Sequence, residues 1–205
     1  MMADKSDKFL IKKLILAAGS SKRYGIKNKL IQHINNKPII NCLMDKLLSI
    51  YDTSELLIVT GYEHETIINL INNSDIECIY NNDYKKGIGT SISAGIRELD
   101  KTIRGVMIIP ADMPIISTKD LIKLQNKFIE LNCSKVIFPK YKSQVGNPVI
   151  LPKKYFNILE GLKGDFGAKS QINKTDIITV NTDIGTIFDI DTVSNLKKAE
   201  NFFKN

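Results

Sequence analysis

Near its N-terminus the chain reads LILAAGSSKRYG at positions 14–25, and Lys29 follows soon after. The apolar first half of this stretch predicts a buried β-strand that ends in a turn. Ala17, Ala18 and Gly19 leave little or no side chain in that turn, so the backbone can come close to a ligand there. Backbone N–H groups in such a turn can bind an anion. The turn is therefore a candidate triphosphate grip, with an ordinary strand-to-helix turn carrying solvated basic residues as the alternative.

Two cations in this stretch, Arg23 and Lys29, can supply positive charge to a bound triphosphate. The common phosphate-binding motifs do not describe the turn. No Gly-Lys-Ser/Thr follows a glycine loop, so a P-loop is excluded. The pair Gly87 and Gly89 lacks a third glycine at Ile92, which excludes a dinucleotide fingerprint there. The meaning of the turn therefore depends on the rest of the chain.

The composition is that of a globular domain, with 205 residues, of which 43% are hydrophobic and 25% charged. The net charge of +7 favours anionic partners. Much of this charge is scattered in lysine pairs, as on a solvated surface. A nucleic-acid-binding chain should instead show a basic stripe with interleaved aromatic residues. We therefore expect small anionic ligands and no nucleic acid.

Three cysteines, Cys42, Cys78 and Cys133, lie far apart without a Cys-x-x-Cys pair. This spacing argues for reduced thiols and against a zinc site or a disulfide framework. No apolar run approaches the ~20 residues of a membrane span. Lys12 and Lys13 interrupt the apolar stretch that a signal peptide requires. The sequence thus predicts a cytoplasmic protein that does not enter a membrane.

Apolar runs alternate with segments of helical period along most of the chain. Strands are predicted over 9–17, 56–60, 77–80, 106–109, 136–138, 147–151, 176–180 and 186–190. Helices are predicted over 38–50, 65–71, 90–99, 118–131 and 192–203. This alternation predicts a three-layer α/β/α fold with a mostly parallel, Rossmann-like sheet, which binds ligands outside the carboxyl ends of its strands. We predict a flexible N-terminus over 1–8 and one domain over 9–205.

Two acidic segments are expected at strand ends. Asp112 stands in PADMP directly after the most apolar strand, where its carboxylate can join phosphate oxygens in binding magnesium. A turn aspartate between two prolines is the alternative. Asp189 and Asp191 stand in DIDT, and we expect only one of them to reach the metal. Asp191 or Thr192 is also a candidate N-cap of the last helix.

A third segment reads NNDYKKGIGTSISAG from Asn81 to Gly95. Its glycines predict a flexible loop, and Thr90 and Ser91 stand at the start of the helix that follows. Such a loop can wrap a nucleotide base and offer hydroxyl groups to the edge of that base. A long loop with an ordinary Ser or Thr cap is the alternative.

Taken together, these segments resemble the nucleotidyltransferases that activate molybdopterin, particularly the molybdenum cofactor cytidylyltransferases. The matching motifs are LAAGSSKRYG with Lys29, VTGY at 59–62, NNDYKKGIGTSISAGI at 81–96, PADMP at 110–114, GNPVIL at 146–151, GDFGAK at 164–169 and DIDT at 189–192. The resemblance extends from Phe9 onward and implies a fold of the nucleotide-diphospho-sugar transferase type. Ala18 favours the cytidylyl branch, because guanylyl relatives tend to carry glycine at that position.

The resemblance also implies roles for individual residues. Nucleotide binding is expected at Leu16, Ala17, Ala18, Gly19, Arg23, Lys29, Asn82 and Ser91. The expected catalytic residues are Arg23, Lys29 and Asp112. Mg²⁺ is expected on Asp112 and Asp191. The acceptor is expected near Gly146, Asn147, Pro148, Gly164 and Asp165.

The reaction that the resemblance implies is transfer of CMP from CTP to the phosphate of molybdopterin cofactor, with release of pyrophosphate. Such transfer depends on positioning and charge neutralisation rather than on a covalent nucleophile. This agrees with a chain whose histidines are only His33 and His64. Another acceptor, such as a sugar or alcohol phosphate, or GTP in place of CTP, is the nearest alternative. A non-catalytic nucleotide- or cofactor-binding chaperone is the alternative of another class, and transient contact with a molybdoenzyme or its chaperone is a further expectation.

Overall fold

The computed structural model describes residues 10–21, 24–25, 28–165 and 168–203. Within these residues the strands are β1 Ile11–Ala17, β2 His33–Ile34, β3 Lys37–Pro38, β4 Leu56–Thr60, β5 Glu77–Tyr80, β6 Gly105–Pro110, β7 Val136–Tyr141, β8 Gln144–Val145, β9 Val149–Pro152 and β10 Ile177–Asn181. All except β2 and β3 join one eight-stranded sheet, in the order β10-β7-β9-β6-β1-β4-β5, with β8 paired to β7. The short strands β2 and β3 form a separate antiparallel hairpin.

Helices cover both faces of the sheet. The α-helices are α1 Ile39–Leu48, α2 His64–Ile71, α3 Ile88–Arg97, α4 Thr118–Glu130, α5 Phe156–Glu160 and α6 Val193–Phe202. Short 3-10 helices lie at Lys29–Ile31, Thr53–Glu55, Tyr84–Lys86, Lys153–Tyr155, Ala168–Gln171, Lys174–Asp176 and Ile184–Ile187. Within the ranges described above, no helix combines the length and the apolar character that crossing a membrane would need.

Strand direction explains where ligands can bind. β1 runs parallel to β4 and to β6, and β4 runs parallel to β5. The chain therefore leaves all four of these strands at the same edge of the sheet. β9 is antiparallel to both β6 and β7, and β10 is parallel to β7. The carboxyl edge beside β1 is thus the place where the loops of the first half of the chain converge.

Successive residues of the central strands enter two different cores, because side chains alternate across a sheet. Ile15 of β1 and Ile58 of β4 pack in the core that contains α1, α2, α4 and α6. Leu14 and Leu57 pack in the second core, beneath α3 and α5. Both faces of these strands are therefore buried, which explains why the strands read as continuous apolar runs.

The predicted fold class is confirmed: the chain is an α/β protein with a mostly parallel mixed sheet between two helical layers. The predicted strand over 186–190 is wrong, since the 3-10 helix Ile184–Ile187 overlaps its start. In that helix the Thr186 hydroxyl donates to the Asp183 carbonyl oxygen at 3.0 Å, which favours a turn over a sheet ladder. The N-terminal segment predicted to be flexible, 1–8, lies outside the described residues, and the domain boundaries stay a prediction.

An ion pair between β1 and the 3-10 helix Thr53–Glu55 is buried inside the molecule. The Nζ atom of Lys13 in β1 lies 2.5 Å from Glu55 Oε1, and both side chains are almost fully inaccessible to solvent. The ammonium also lies 4.0 Å from the centroid of the Tyr51 ring. Glu55 Oε2 accepts the Asp52 N–H at 3.0 Å, so both carboxylate oxygens of Glu55 are bonded. The pair connects β1 to the turn that precedes β4.

Candidate active site

A cavity of about 490 Å³ lies at the carboxyl edge of the sheet, beside the ends of β1 and β6. Its walls come from the turn after β1, the segment after β6, the loop that precedes α3 and the acidic segment 189–191. Of the residues predicted from the sequence to bind ligands, its lining includes Leu16, Ala18, Gly19, Lys29, Ser91, Asp112, Asn147, Asp165 and Asp191. Residues that are distant in sequence therefore meet at the edge where a Rossmann-like sheet binds its ligand.

The turn after β1 exposes backbone to this cavity. A Cβ atom placed on Gly19 would meet no atom of the described residues within 4 Å. Gly61 is different, since a Cβ there would lie 2.5 Å from Tyr84 Cβ and 3.0 Å from Ala18 Cβ. Tyr84 can therefore pack beside the turn because position 61 has no side chain. The N–H of Tyr62 donates to Ala18 O at 3.3 Å and ties the turn to the end of β4.

Two polar side chains hold the backbone around Lys29 beside this turn. Asn28 is fully buried, and its Oδ1 accepts the Leu30 N–H at 3.0 Å. Ser21 has a left-handed backbone with φ of 52°, and its Oγ accepts the Lys29 N–H at 3.1 Å. These bonds fix the point from which the Lys29 side chain starts. The other predicted cation, Arg23, lies outside the described residues.

Three carboxylates meet beside Lys29. One oxygen from each of Asp112, Asp189 and Asp191 lies within 4.8 Å of the others. The N–H of Ile190 donates to Asp112 O at 3.0 Å, which attaches the acidic segment to the chain just after β6. Lys29 Nζ donates to Asp112 Oδ2 and to Asp191 Oδ1, the second bond being 2.7 Å long. We call this group of three carboxylates the acidic cluster.

Neighbouring charges shift the pKa values of two groups in and beside the cluster, Lys29 and Asp189. Burial lowers the pKa of Lys29, but the ion pairs with Asp112 and Asp191 outweigh burial, so the pKa is raised and the ammonium is charged. Burial raises the pKa of Asp189, and the charges of the two neighbouring carboxylates raise this pKa further. Three acidic groups thus share one small volume, which favours any cation that enters it.

The acidic cluster also fits a divalent cation. Among the described residues, Asp112 Oδ1 is buried and has no hydrogen-bond partner. A buried acceptor without a partner is costly, and a cation in reach of it removes that cost. Carboxylate oxygens are the ligands that Mg²⁺ and similar hard cations prefer. The donor set therefore suits such an ion, with Asp112 and Asp191 as ligands and Asp189 as a third oxygen donor.

The structure brings both acids of this segment together and shows which residue caps α6. Both the Asp189 and the Asp191 carboxylates lie in the cluster, while the expectation that only one of them reaches the metal stays a prediction. Alternate residues of an extended segment share a face, and Ile190 between them is buried. The N-cap of α6 is Thr192, whose Oγ1 accepts the Asn195 N–H at 3.1 Å.

The loop before α3 is organised by Asn81. This residue is buried, and its Nδ2 donates to Ser91 Oγ at 3.0 Å and to Thr90 Oγ1 at 2.9 Å. Its Oδ1 accepts the Asp83 N–H at 2.9 Å, which closes the turn. Ser91 lines the cavity, whereas Asn82, the residue predicted to contact nucleotide, is exposed. Asn81 therefore sets the position of the Ser91 hydroxyl from behind.

Two glycine contacts bring the predicted acceptor segments to the same cavity. A Cβ on Gly87 would lie 2.3 Å from the carbonyl carbon of Gly164, and Asp165 follows in the cavity wall. A Cβ on Gly146 would lie 1.9 Å from Thr186 O. The loop before α3 therefore touches the segment predicted to hold the acceptor, backbone against backbone.

Ala17, Asn147 and Pro148 are the remaining residues predicted from the sequence. Ala17 and Pro148 are buried, and Asn147 lines the cavity while its N–H donates to Thr186 O at 2.8 Å. Sequence reasoning missed the supporting roles of Ser21 and Asn28. Small polar residues beside a glycine-containing turn are the only signal that marked them in the sequence.

Comparison with known proteins identifies the family of this chain. The model of the MobA-like NTP transferase domain matches residues 13–178. The bifunctional protein GlmU of Thermosipho africanus is 31% identical over 196 residues, which cover 93% of this chain and 40% of that protein. A probable molybdenum cofactor guanylyltransferase of Thermococcus sibiricus is 29% identical over 136 residues, which cover 66% of this chain and 65% of that protein. The chain thus spans less than two thirds of the length of each of these relatives.

Solved structures share the fold at low sequence identity. The homologue of Rv0371c from Mycobacterium sp. strain JC1 has a TM-score of 0.82 at 18% identity, covering 96% of this chain and 98% of that chain. Rv0371C of Mycobacterium tuberculosis in complex with manganese has a TM-score of 0.76 at 16% identity, covering 94% and 98%. The 4-diphosphocytidyl-2C-methyl-D-erythritol synthase of Anaerococcus prevotii has a TM-score of 0.73 at 17% identity, covering 97% and 100%. At these identities the likeness concerns the fold alone.

Proposed function

This chain belongs to the MobA-like NTP transferase family, and we propose on that basis that it transfers CMP from CTP to the phosphate of molybdopterin cofactor with release of pyrophosphate. The observation that carries the proposal is the meeting of Lys29 with the acidic cluster at the mouth of the Gly19 turn. The Lys29 ammonium, the exposed backbone of the Gly19 turn and the carboxylates of the acidic cluster then face one cavity. That combination is what the transfer of a nucleotidyl group needs.

In this mechanism the protein positions its substrates rather than forming a covalent intermediate. The backbone of the Gly19 turn and the Lys29 ammonium bind the triphosphate. The acidic cluster would hold Mg²⁺, which would neutralise negative charge on the leaving pyrophosphate. Ser91 contacts the base, with its hydroxyl held by Asn81. Asn147 and Asp165, which line the same cavity, would face the acceptor, whose phosphate attacks the α-phosphorus as pyrophosphate leaves.

The nucleotide is the first point to test. Ala18, which the cytidylyl resemblance favours, supports CTP, whereas the name of the Thermococcus sibiricus relative supports GTP. We propose incubating the purified protein with molybdopterin cofactor, Mg²⁺ and each nucleoside triphosphate in turn, and measuring pyrophosphate release. CTP is expected to be used well ahead of GTP. A preference for GTP would reject the cytidylyl assignment and leave nucleotidyl transfer intact.

The same assay tests the acceptor and the non-catalytic alternative. A sugar phosphate or alcohol phosphate that supports pyrophosphate release better than molybdopterin cofactor would replace it as the substrate. Binding of nucleotide without pyrophosphate release, with any of these acceptors, would favour a cofactor-binding chaperone. For a Lys29→Met variant in this assay, Lys12→Met is the matched control, because Lys12 has the same side-chain exposure as Lys29, 15%, but pairs with Glu77 away from the cavity. We place the reaction in the cytoplasm.

A further inference from the structure

The Lys29 ammonium binds two of the carboxylates that would hold a divalent cation. It donates to Asp112 Oδ2 and to Asp191 Oδ1, two of the three carboxylates that lie within 4.8 Å of one another. Its side chain is only 15% exposed, so these bonds form in a partly desolvated place. The two residues it joins belong to segments almost eighty positions apart in the sequence. The ammonium therefore links the two segments that contribute to the acidic cluster.

An ammonium and a divalent cation compete for part of this cluster. Both can bind Asp112 Oδ2 and Asp191 Oδ1, and their like charges repel strongly in a partly buried site. The unpartnered Asp112 Oδ1 gives an incoming ion one oxygen that Lys29 does not use. To bind Asp112 Oδ2 or Asp191 Oδ1 as well, the ion has to displace the Lys29 ammonium from that oxygen.

Other hydrogen-bond acceptors can become available to the Lys29 ammonium within the same cavity. Its backbone is fixed by Ser21 and Asn28, but its side chain is a flexible four-carbon stem with three donors. The exposed backbone of Gly19 lines the same cavity, so phosphate oxygens bound at the turn lie in the space that Lys29 borders. An anionic ligand at the Gly19 turn offers the ammonium new oxygen acceptors when the carboxylates bind a metal ion instead.

We propose that Lys29 is an internal counterion of the acidic cluster, which pairs with Asp112 and Asp191 before metal binds and moves to the phosphates when metal and nucleotide bind. The identity of the ion and of the phosphates rests on the proposed function. The exchange makes the binding of nucleotide and the binding of metal cooperative. The nucleotide phosphates give the displaced ammonium new acceptors, and the metal ion gives the carboxylates a new counterion. The exchange also keeps metal affinity low until a nucleotide is present.

The test measures metal affinity in the absence of nucleotide. Mn²⁺ is titrated into the metal-free protein, and free Mn²⁺ is followed by its electron paramagnetic resonance signal. Lys29→Met is expected to bind Mn²⁺ about tenfold more tightly or better than the wild type, since it removes the competing charge. Lys85→Met is the matched control, because Lys85 also lines the cavity but lies over the Tyr84 ring. This control is expected to change the affinity by less than about threefold.

A charge-retaining variant separates competition from a general loss of structure. Lys29→Arg is expected to keep the weak metal affinity of the wild type. Circular dichroism and the melting temperature of each variant show whether it is folded, and Lys29→Gln replaces Lys29→Met if the latter is not. Unchanged or weaker Mn²⁺ binding in the folded, uncharged variant would overturn the proposal, as would an equal gain in Lys85→Met. Because no nucleotide is present, these outcomes are independent of whether pyrophosphate is released in the transfer assay.

Discussion

Replacing Lys13 by methionine tests how the buried ion pair supports β1, the strand that ends in the Gly19 turn. Methionine fills a similar volume but leaves the Glu55 carboxylate buried without its counterion. Removing one partner of a buried ion pair typically costs about 3–5 kcal/mol. The bond that Glu55 receives from the Asp52 N–H remains, so we expect the lower end, about 3 kcal/mol, against a typical total of ~5–15 kcal/mol.

The free energy of unfolding is measured by urea denaturation, followed by circular dichroism. The double variant Lys13→Met with Glu55→Gln removes both charges and keeps an acceptor for Asp52, so it is expected to recover most of the loss. Burial raises the pKa of Tyr51, and the nearby Glu55 charge raises it further, so the ring stays neutral in all variants near neutral pH. A loss below about 1 kcal/mol for Lys13→Met, or a double variant no more stable than the single one, would refute the reasoning.

Three further predictions concern the last third of the chain. Asp191→Asn should abolish pyrophosphate release, since a neutral amide is a poor ligand for a hard cation, and an active variant would remove Asp191 from the metal site. Thr192→Ala should lower the free energy of unfolding by about 1 kcal/mol through loss of the helix cap while transfer continues, as measured by urea denaturation and the pyrophosphate assay. Hydrogen bonds from Lys154 and Tyr155 lower the pKa of Asp176 to about 2. The ionised Asp176 therefore stabilises the fold fully above the pKa that this carboxyl has in the unfolded chain, and the stabilisation is lost as pH falls through the folded pKa of about 2. Asp176→Asn should therefore lower the melting temperature at about pH 7 and not below about pH 2, and an equal difference at both would contradict this assignment.

The sequence predicted the regular elements well wherever local pattern was sufficient. The strands Leu56–Thr60 and Glu77–Tyr80 have the predicted boundaries, because apolar runs end there at residues that favour turns. α3 begins at Ile88, two residues earlier than the predicted start at Thr90, since Gly87 rather than a Ser or Thr stands at its N-cap. The strand predicted near Thr186 failed because its backbone bonds are made within a turn.

The site was predictable in its residue types and not in its contacts. Asp112 and Lys29 stand in motifs, but their ion pair depends on a meeting between two loops that no local pattern encodes. Asn81 and Asn82 are chemically identical neighbours, and only the fold shows that the first is buried behind Ser91. Asp189 joined the cluster because a main-chain bond from Ile190 to the chain after β6 sets the whole segment.

That main-chain bond has a consequence for any attempt to define a minimal active unit. The match to the family model ends at residue 178, yet two of the three cluster carboxylates, Asp189 and Asp191, come later in the chain. A chain shortened to the matched region would keep the Gly19 turn and Lys29 and would lose both of these acids together with most of β10. Trimming to the family boundary would therefore keep the residues proposed to bind phosphate and remove two of the three carboxylates proposed to bind the metal.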